Sequence, residues 1–172
     1  MRDATKPSEA RRGWISLWVP VLAWAAVIFW ASGSVFSAGN TGRLIIPILH
    51  WLFPAASAGA LEKMHFLVRK CGHFTEYFVL GWLLLRAFRA GRREVRLRWT
   101  LWAIAIVACY ATFDEWHQSF VPGRGGLELS DILIDTTAGA VAQAIAAMFN
   151  RGEPRDDSKG DDSDRQREAA SA

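Results

Sequence analysis

Residues 70–88 read KCGHFTEYFVLGWLLLRAF, and this stretch decides the fold. Its apolar part, residues 72–88, approaches the roughly 20 residues that a helix needs to cross a bilayer. Lys70, His73 and Glu76 nevertheless lie at or near its start. A charged side chain at the centre of a membrane helix costs about 2.5–3.5 kcal/mol on insertion scales. The stretch therefore predicts a membrane-spanning helix with a polar site at one of its ends.

Three other apolar runs complete the predicted architecture. Residues 14–31, 99–116 and 130–149 join residues 72–88 as predicted spans, in a chain that is 51% hydrophobic and holds nine tryptophans. Most of these tryptophans fall near the ends of apolar runs, as is typical of residues at the headgroup level. The runs are apolar all round except at one end, whereas a soluble helical bundle shows a polar stripe along each helix. The sequence predicts an all-α, four-span transmembrane helical bundle over residues 14–149.

The segments outside the spans are predicted to differ in character. Residues 1–13 and 150–172 are expected to be disordered and cytoplasmic, since residues 151–172 hold seven acidic and five basic residues and no aromatic residue. The first loop, residues 32–71, contains TGRLIIPILHWLFP, which Pro47 and Pro54 interrupt. This segment is too short to cross and is predicted to be interfacial or re-entrant. A dispersed net charge of +3 argues against nucleic acid as a partner.

The distribution of basic residues predicts the orientation. Residues 86–98 hold six arginines, whereas residues 117–129 hold only Arg124. The positive-inside rule then places both termini of this multi-pass protein on the cytoplasmic side of the membrane. In this orientation the polar ends of spans two, three and four meet at the outer face. The residues predicted to gather there are Lys70, His73, Glu76, Asp114, Glu115, Gln118, Arg124, Asp131 and Asp135.

Helical spacing places these polar side chains on shared faces. Residues three or four positions apart lie on one side of a helix, which pairs His73 with Glu76, Asp114 with Gln118, and Asp131 with Asp135. An acidic face on each of three helices predicts an inward-facing polar pocket. Arg124, in the loop sequence VPGRGGLEL, is the cation expected to lie over it.

The same residues carry a resemblance to a known family. The blocks RKCGHFTEYFVLGWLLL, YATFDEWHQSFVPGR and SDILIDTTAG resemble those of the VanZ-like family of small bacterial membrane proteins. The matching positions are Lys70, His73, Phe74, Tyr77, Leu80, Gly81, Asp114, Glu115, Gln118, Phe120, Pro122, Gly123, Arg124, Asp131, Asp135 and Gly139. The resemblance implies an integral membrane protein of the cell envelope. The founding member of the family is associated with resistance to the glycopeptide antibiotic teicoplanin.

Several functions suit such a pocket. The favoured one is binding of an envelope lipid, a lipid-linked precursor or a glycopeptide-type antibiotic, with Arg124 and Lys70 on a phosphate. The alternative is an enzyme that modifies a lipid-linked substrate by acid–base chemistry, for which the candidates are His73, Glu76, Asp114 and Glu115. A purely structural cluster that holds the helices together is the third possibility. No metal site and no cofactor are predicted.

Other polar residues are given no role in this interpretation. Arg69 is interpreted as a residue that extends its charge to the membrane surface. His65 and His117 are interpreted as interfacial. Cys71 and Cys109 are expected to be free thiols.

Overall fold

The protein is helical throughout the part that the structure describes. The computed structural model describes residues 6–90, 92, 95–124 and 126–150. The helices are α1 (Lys6–Ala31), α2 (Ala38–Leu52), α3 (Ala58–Arg89), α4 (Leu97–Gln118) and α5 (Leu129–Asn150), with a 3-10 turn at Ser34–Phe36. The predicted all-α class is therefore confirmed.

Two of these helices have the length and composition needed to cross a membrane. They are Gly13–Ala31, with a mean hydropathy of 1.8, and Leu129–Phe149, with a mean hydropathy of 1.6. The spans expected within α3 and α4 are not among them, because charged and other polar residues, which in α4 lie near its ends, lower the mean hydropathy of both helices. Two candidate spans are thus found in the described residues, and the four-span bundle stays a prediction.

Large apolar side chains are exposed on every helix of the structure. Leu22 of α1, Leu44 of α2, Leu67 of α3, Leu101 of α4 and Leu133 of α5 are each more than half exposed. Water-soluble monomers rarely expose apolar patches that continue around the whole molecule. This surface is typical of a protein that packs against lipid.

The helices begin earlier than the sequence predicted. The first helix starts at Lys6 rather than at residue 14, and α3 starts at Ala58 rather than at residue 72. Ser57 caps α3 by accepting a hydrogen bond from the amide of Ala60. With 32 residues, α3 is about 48 Å long, which exceeds the apolar thickness of a bilayer. The predicted disorder of residues 1–5 and 151–172 lies outside the described residues.

The first loop is also more regular than expected. Most of residues 32–71 belongs to α2 and to the first part of α3, and Pro47 lies inside α2. Helix α2 packs against α3. Its interfacial or re-entrant placement remains a prediction.

Helix α3 is the centre of the molecule, since it packs against α1, α2, α4 and α5. Its closest approach is to α5, where a Cβ atom on Gly81 would lie 2.9 Å from the Cα atom of Gly139. On the other side of this contact, a Cβ atom on Gly139 would lie 2.8 Å from Val107 Cγ1 of α4. Gln143 donates a buried hydrogen bond of 2.8 Å to the carbonyl of Gly81. Small residues thus let three helices meet at one point, as in membrane helix packing.

Helix α1 is attached to this centre by long-range polar contacts. Trp24 Nε1 donates to the carbonyl of Glu76 over 2.9 Å, and the hydroxyl of Tyr110 donates to the carbonyl of Ala25 over 2.6 Å. Only 11% of the residues in its apolar window are buried. Helix α1 therefore forms an outer wall of the bundle, with Val21 and Ile28 packed into the core.

Candidate functional site

Two neighbouring cavities lie where the ends of α1 and α4 and the 119–128 loop meet residues 66–76 of α3. The larger, which we call the apolar cavity, has a volume of about 320 Å³. Its apolar wall comes from α1, the 3-10 turn, α2 and α3, through Val27, Ile28, Trp30, Ala31, Phe36, Ile45 and Val68. Its polar lining is Ser32, Thr41, Arg69, His73, Glu76, Asp114, Gln118 and Arg124.

The smaller, which we call the polar cavity, has a volume of about 80 Å³ and is lined mainly by charged and other polar side chains. These are Arg69, Lys70, His73, Glu115, Gln118, Arg124, Glu128 and Asp131. Arg69, His73, Gln118 and Arg124 line both cavities. The two spaces therefore share one polar boundary.

Lys70 is held in the polar cavity by two carboxylates. Its Nζ atom forms an ion pair with Asp131 and lies 3.6 Å from Glu128 Oε2. The ammonium group also lies 5.0 Å from the centre of the Phe66 ring.

His73 faces a buried acid on α5. His73 Nδ1 lies 3.7 Å from Asp135 Oδ2, and Asp135 is 1% exposed. Neither carboxylate oxygen of Asp135 has a hydrogen-bond partner among the described residues. Because buried polar atoms are usually paired, this imidazole–carboxylate pair is an unusual feature of the helix interface.

A chain of hydrogen bonds connects α4, the 119–128 loop and the end of α1. Gln118 Nε2 donates to Asp114 Oδ2 over 2.7 Å, and Arg124 Nη1 donates to Gln118 Oε1 over 3.1 Å. Arg124 Nη2 donates to the carbonyls of Ala31 and Gly33, over 2.5 and 3.3 Å. The guanidinium group of Arg124 thus fixes the end of α1 over the cavities.

The turn before Arg124 depends on a glycine. Gly123 has a φ of +79°, a value that side-chain-bearing residues rarely adopt. Pro122 precedes it, as is common in tight turns. Burial lowers the pKa of Arg124, and the nearby charge of Arg69 lowers this pKa further.

Glu115 has a structural contact of its own. Its Oε2 atom accepts a hydrogen bond of 3.0 Å from the amide of Glu128, just before α5 begins. Glu115 is 3% exposed and contributes to the wall of the polar cavity. This contact orients the carboxylate of Glu115 towards the loop.

The structure brings all nine predicted site residues to the two cavities or to a contact with them. Eight of the nine line at least one cavity, and Asp135 lies against His73. Their role in binding or catalysis stays a prediction. Within the described residues, no group of three or more His, Cys, Asp or Glu side chains is arranged to hold a metal ion. Cys71 and Cys109 are free and exposed.

The sequence interpretation missed several polar residues of the site. Arg69 was given no role, yet it lines both cavities. Its position four residues before His73 and seven before Glu76 puts it on the same face of α3, a signal that the sequence contained. His65 was interpreted as interfacial, but it is buried, with its Nε2 atom 3.0 Å from Thr41 Oγ1.

Comparison with known proteins bears on the identity of the chain. No curated protein and no solved structure matches it. A family model described as VanZ/LLP1 matches residues 17–150, which include all five helices except the first part of α1. The three blocks that resemble this family contribute most of the charged and polar residues that line the two cavities, whereas the apolar wall comes mainly from other segments. The chain therefore belongs to the VanZ/LLP1 family.

Proposed function

We propose that the protein binds a membrane amphiphile in the two joined cavities. The observation that carries this proposal is the composition of the two spaces: one is mostly apolar, one is charged, and they share a boundary. An amphiphile has the same division, with an apolar tail and a polar head. Envelope lipids and lipid-linked precursors have this form, and a lipid-tailed glycopeptide such as teicoplanin has it as well. A contribution to glycopeptide resistance is one biological outcome of such binding.

The expected setting is the cytoplasmic membrane, with four spans and both termini inside. The six arginines of residues 86–98 and the exposed apolar side chains support it. Reporter fusions test the topology. A reporter joined after residue 90 should be active in the cytoplasm, and one joined after residue 124 should be active outside. Activity of both reporters on the same side would contradict the four-span arrangement.

Native mass spectrometry of the protein released from lipid nanodiscs tests the binding proposal. We expect the full chain to retain an added mass that identifies the amphiphile. Val68→Trp should remove this mass, because Val68 lines the apolar cavity and an indole would fill part of it. Leu67→Trp is the matched control, since Leu67 is an exposed apolar neighbour on the same helix and lines neither cavity.

The two variants distinguish binding in the cavity from lipid that surrounds the protein. Annular lipid contacts the outer surface, so its retention should be the same in both variants. Equal retention in the wild type and in both variants, with unchanged thermal stability, would refute binding in the cavity. The polar residues that line the two cavities would then only hold the helices together.

An enzyme is the second candidate, and the His73–Asp135 contact favours it. A carboxylate beside one ring nitrogen orients an imidazole, so that the other nitrogen can accept or donate a proton. Glu76 lines the same apolar cavity and supplies a second proton-transfer group. Asp114 and Glu115 are less suitable, because each already accepts a hydrogen bond from the protein. His73→Gln should then abolish modification of the retained amphiphile while the amphiphile remains bound.

A further inference from the structure

Two guanidinium groups lie at the boundary between the cavities. Arg69 of α3 and Arg124 of the 119–128 loop each line both spaces. Both side chains are half-buried. The charge of Arg69 lowers the pKa of Arg124, so the two groups are within electrostatic reach of each other. Two like charges held close together in a partly buried space repel each other.

Neither guanidinium group forms an ion pair with a carboxylate. In the part of the chain that the structure describes, no carboxylate oxygen lies within 4.0 Å of a nitrogen of Arg69 or Arg124. The hydrogen bonds of Arg124 go to neutral acceptors, namely the Gln118 amide and two backbone carbonyls. Its Nε atom is buried and has no partner in the described chain. The boundary therefore holds two guanidinium groups without a carboxylate at ion-pair distance in the described chain, although Asp114, Glu76 and Glu115 act on the charge of Arg124 from farther away.

Lys70 differs from the two arginines in this respect. Asp131 and Glu128 both pair with its ammonium group, which satisfies its charge within the protein. The sequence interpretation placed a phosphate on Lys70 and Arg124. The contacts instead leave Arg69, one residue earlier on α3, as the second available cation.

We infer that the bound amphiphile carries a phosphate group, and that Arg69 and Arg124 bind this phosphate at the boundary of the two cavities. This inference rests on the proposed amphiphile binding and specifies its head group. Guanidinium groups bind phosphate oxygens through paired, charge-assisted hydrogen bonds. The boundary between the cavities is also a suitable place for a phosphate, because the phosphate of a lipid joins its apolar tail to the rest of its polar head. The tail then occupies the apolar cavity, and the group beyond the phosphate faces the polar cavity.

The carboxylates of the apolar cavity set a limit on the orientation. Glu76 and Asp114 line this space and repel an anion placed beside them. Gln118 stands between Asp114 and Arg124 and donates its amide hydrogen to Asp114. Glu115, Glu128 and Asp131 line the polar cavity and act on an anion in the same way, so the phosphate is confined to the guanidinium groups at the boundary.

Calorimetric titration of the full chain in an uncharged maltoside detergent tests the inference. The probes are dioctanoyl phosphatidate, dioctanoylglycerol and inorganic phosphate. The first two share their acyl chains and differ in the phosphate, so their ratio of dissociation constants reports the phosphate contact. We expect phosphatidate to bind at least about tenfold more tightly than dioctanoylglycerol, because its phosphate accepts charge-assisted hydrogen bonds. Inorganic phosphate should bind more weakly than phosphatidate, since it lacks the tail.

Three variants assign the effect to named residues. Arg69→Gln should weaken phosphatidate binding about tenfold and leave dioctanoylglycerol binding unchanged. Arg124→Lys should also weaken phosphatidate binding, because it keeps the charge and loses the fork of donors. Arg43→Gln is the control, since Arg43 is exposed and lines neither cavity. Thermal midpoints of each variant, measured without ligand, separate loss of binding from loss of folding.

The outcomes separate this inference from the proposed function. If both lipids bind and Val68→Trp blocks both, but Arg69→Gln changes neither, then amphiphile binding stands and the phosphate contact is refuted. If neither lipid binds, amphiphile binding itself is refuted. If inorganic phosphate binds as tightly as phosphatidate, then the anion does not come from a lipid and the inference is overturned.

Discussion

The contact of Gly139 with α4 makes a quantitative prediction about stability. A methyl group added in Gly139→Ala would lie 2.8 Å from Val107 Cγ1, and 3.1 Å from both the Cβ and Cγ2 atoms of Val107. Real Cβ atoms do not approach others so closely, so α4 or α5 must move. Overpacking of this kind costs about 1–3 kcal/mol. We expect Gly139→Ala to lower the free energy of unfolding by this amount.

A second substitution tests whether the clash is the cause. Val107→Ala removes both methyl groups and leaves only the 3.1 Å approach of its Cβ atom. The double variant should therefore be more stable than the sum of the two single effects predicts. We expect a coupling energy of roughly 1 kcal/mol, within the range for residues in contact.

The assay is reversible unfolding in mixed micelles with increasing denaturing detergent, followed by tryptophan fluorescence. Gly72→Ala is the matched control, because a Cβ atom on Gly72 meets nothing within 4 Å and this helical glycine is exposed. It should not lower stability. Strictly additive effects of Gly139→Ala and Val107→Ala would show that steric contact between these two residues is not responsible, and the reasoning would be refuted.

Three further predictions follow from the polar contacts. Gln143→Leu should lower the free energy of unfolding, because the carbonyl of Gly81 loses its donor. The expected loss is about 0.6–1.7 kcal/mol, the range for hydrogen bonds between membrane helices. No change in the same unfolding assay would contradict this prediction. Lys70→Met should lower the free energy of unfolding by roughly 2 kcal/mol, because the Asp131 carboxylate loses its main cation. Adding Asp131→Asn should restore part of this loss in the same assay. Arg124→Met should speed amide hydrogen exchange at the end of α1 about tenfold, since the charged hydrogen bonds that hold it are lost; unchanged exchange there would show that the guanidinium group does not hold α1.

The gathering of the polar residues could be predicted from the sequence for a simple reason. Helices that alternate in direction bring the start of one and the end of the next to the same level. Residues such as His73, Asp114 and Asp135 were therefore expected together, and the structure brings them to one place. The family was also predictable, because its three sequence blocks are present in this chain and lie within the residues that the family model matches.

The pairing of individual charges could not be predicted in the same way. Which cation meets which acid depends on the rotation of each helix about its axis, which spacing alone does not give. Lys70 and Arg69 are adjacent in sequence but differ in their contacts. Lys70 pairs with Asp131 and Glu128, whereas Arg69 lines the cavities and forms no ion pair in the described residues. The backward extension of α3 to Ala58 was missed for a related reason: hydropathy marks where a helix becomes apolar, not where its hydrogen bonds begin.

The attachment of α1 has a consequence for the order in which the protein is assembled. Its three polar links are made by Glu76, Tyr110 and Arg124, all of which are synthesised after α1 has left the ribosome. A helix with a mean hydropathy of 1.8 and few buried residues can wait in lipid as an independent unit. The wall that α1 gives the apolar cavity is thus made first, and its end is fastened only when the loop that carries Arg124 has emerged.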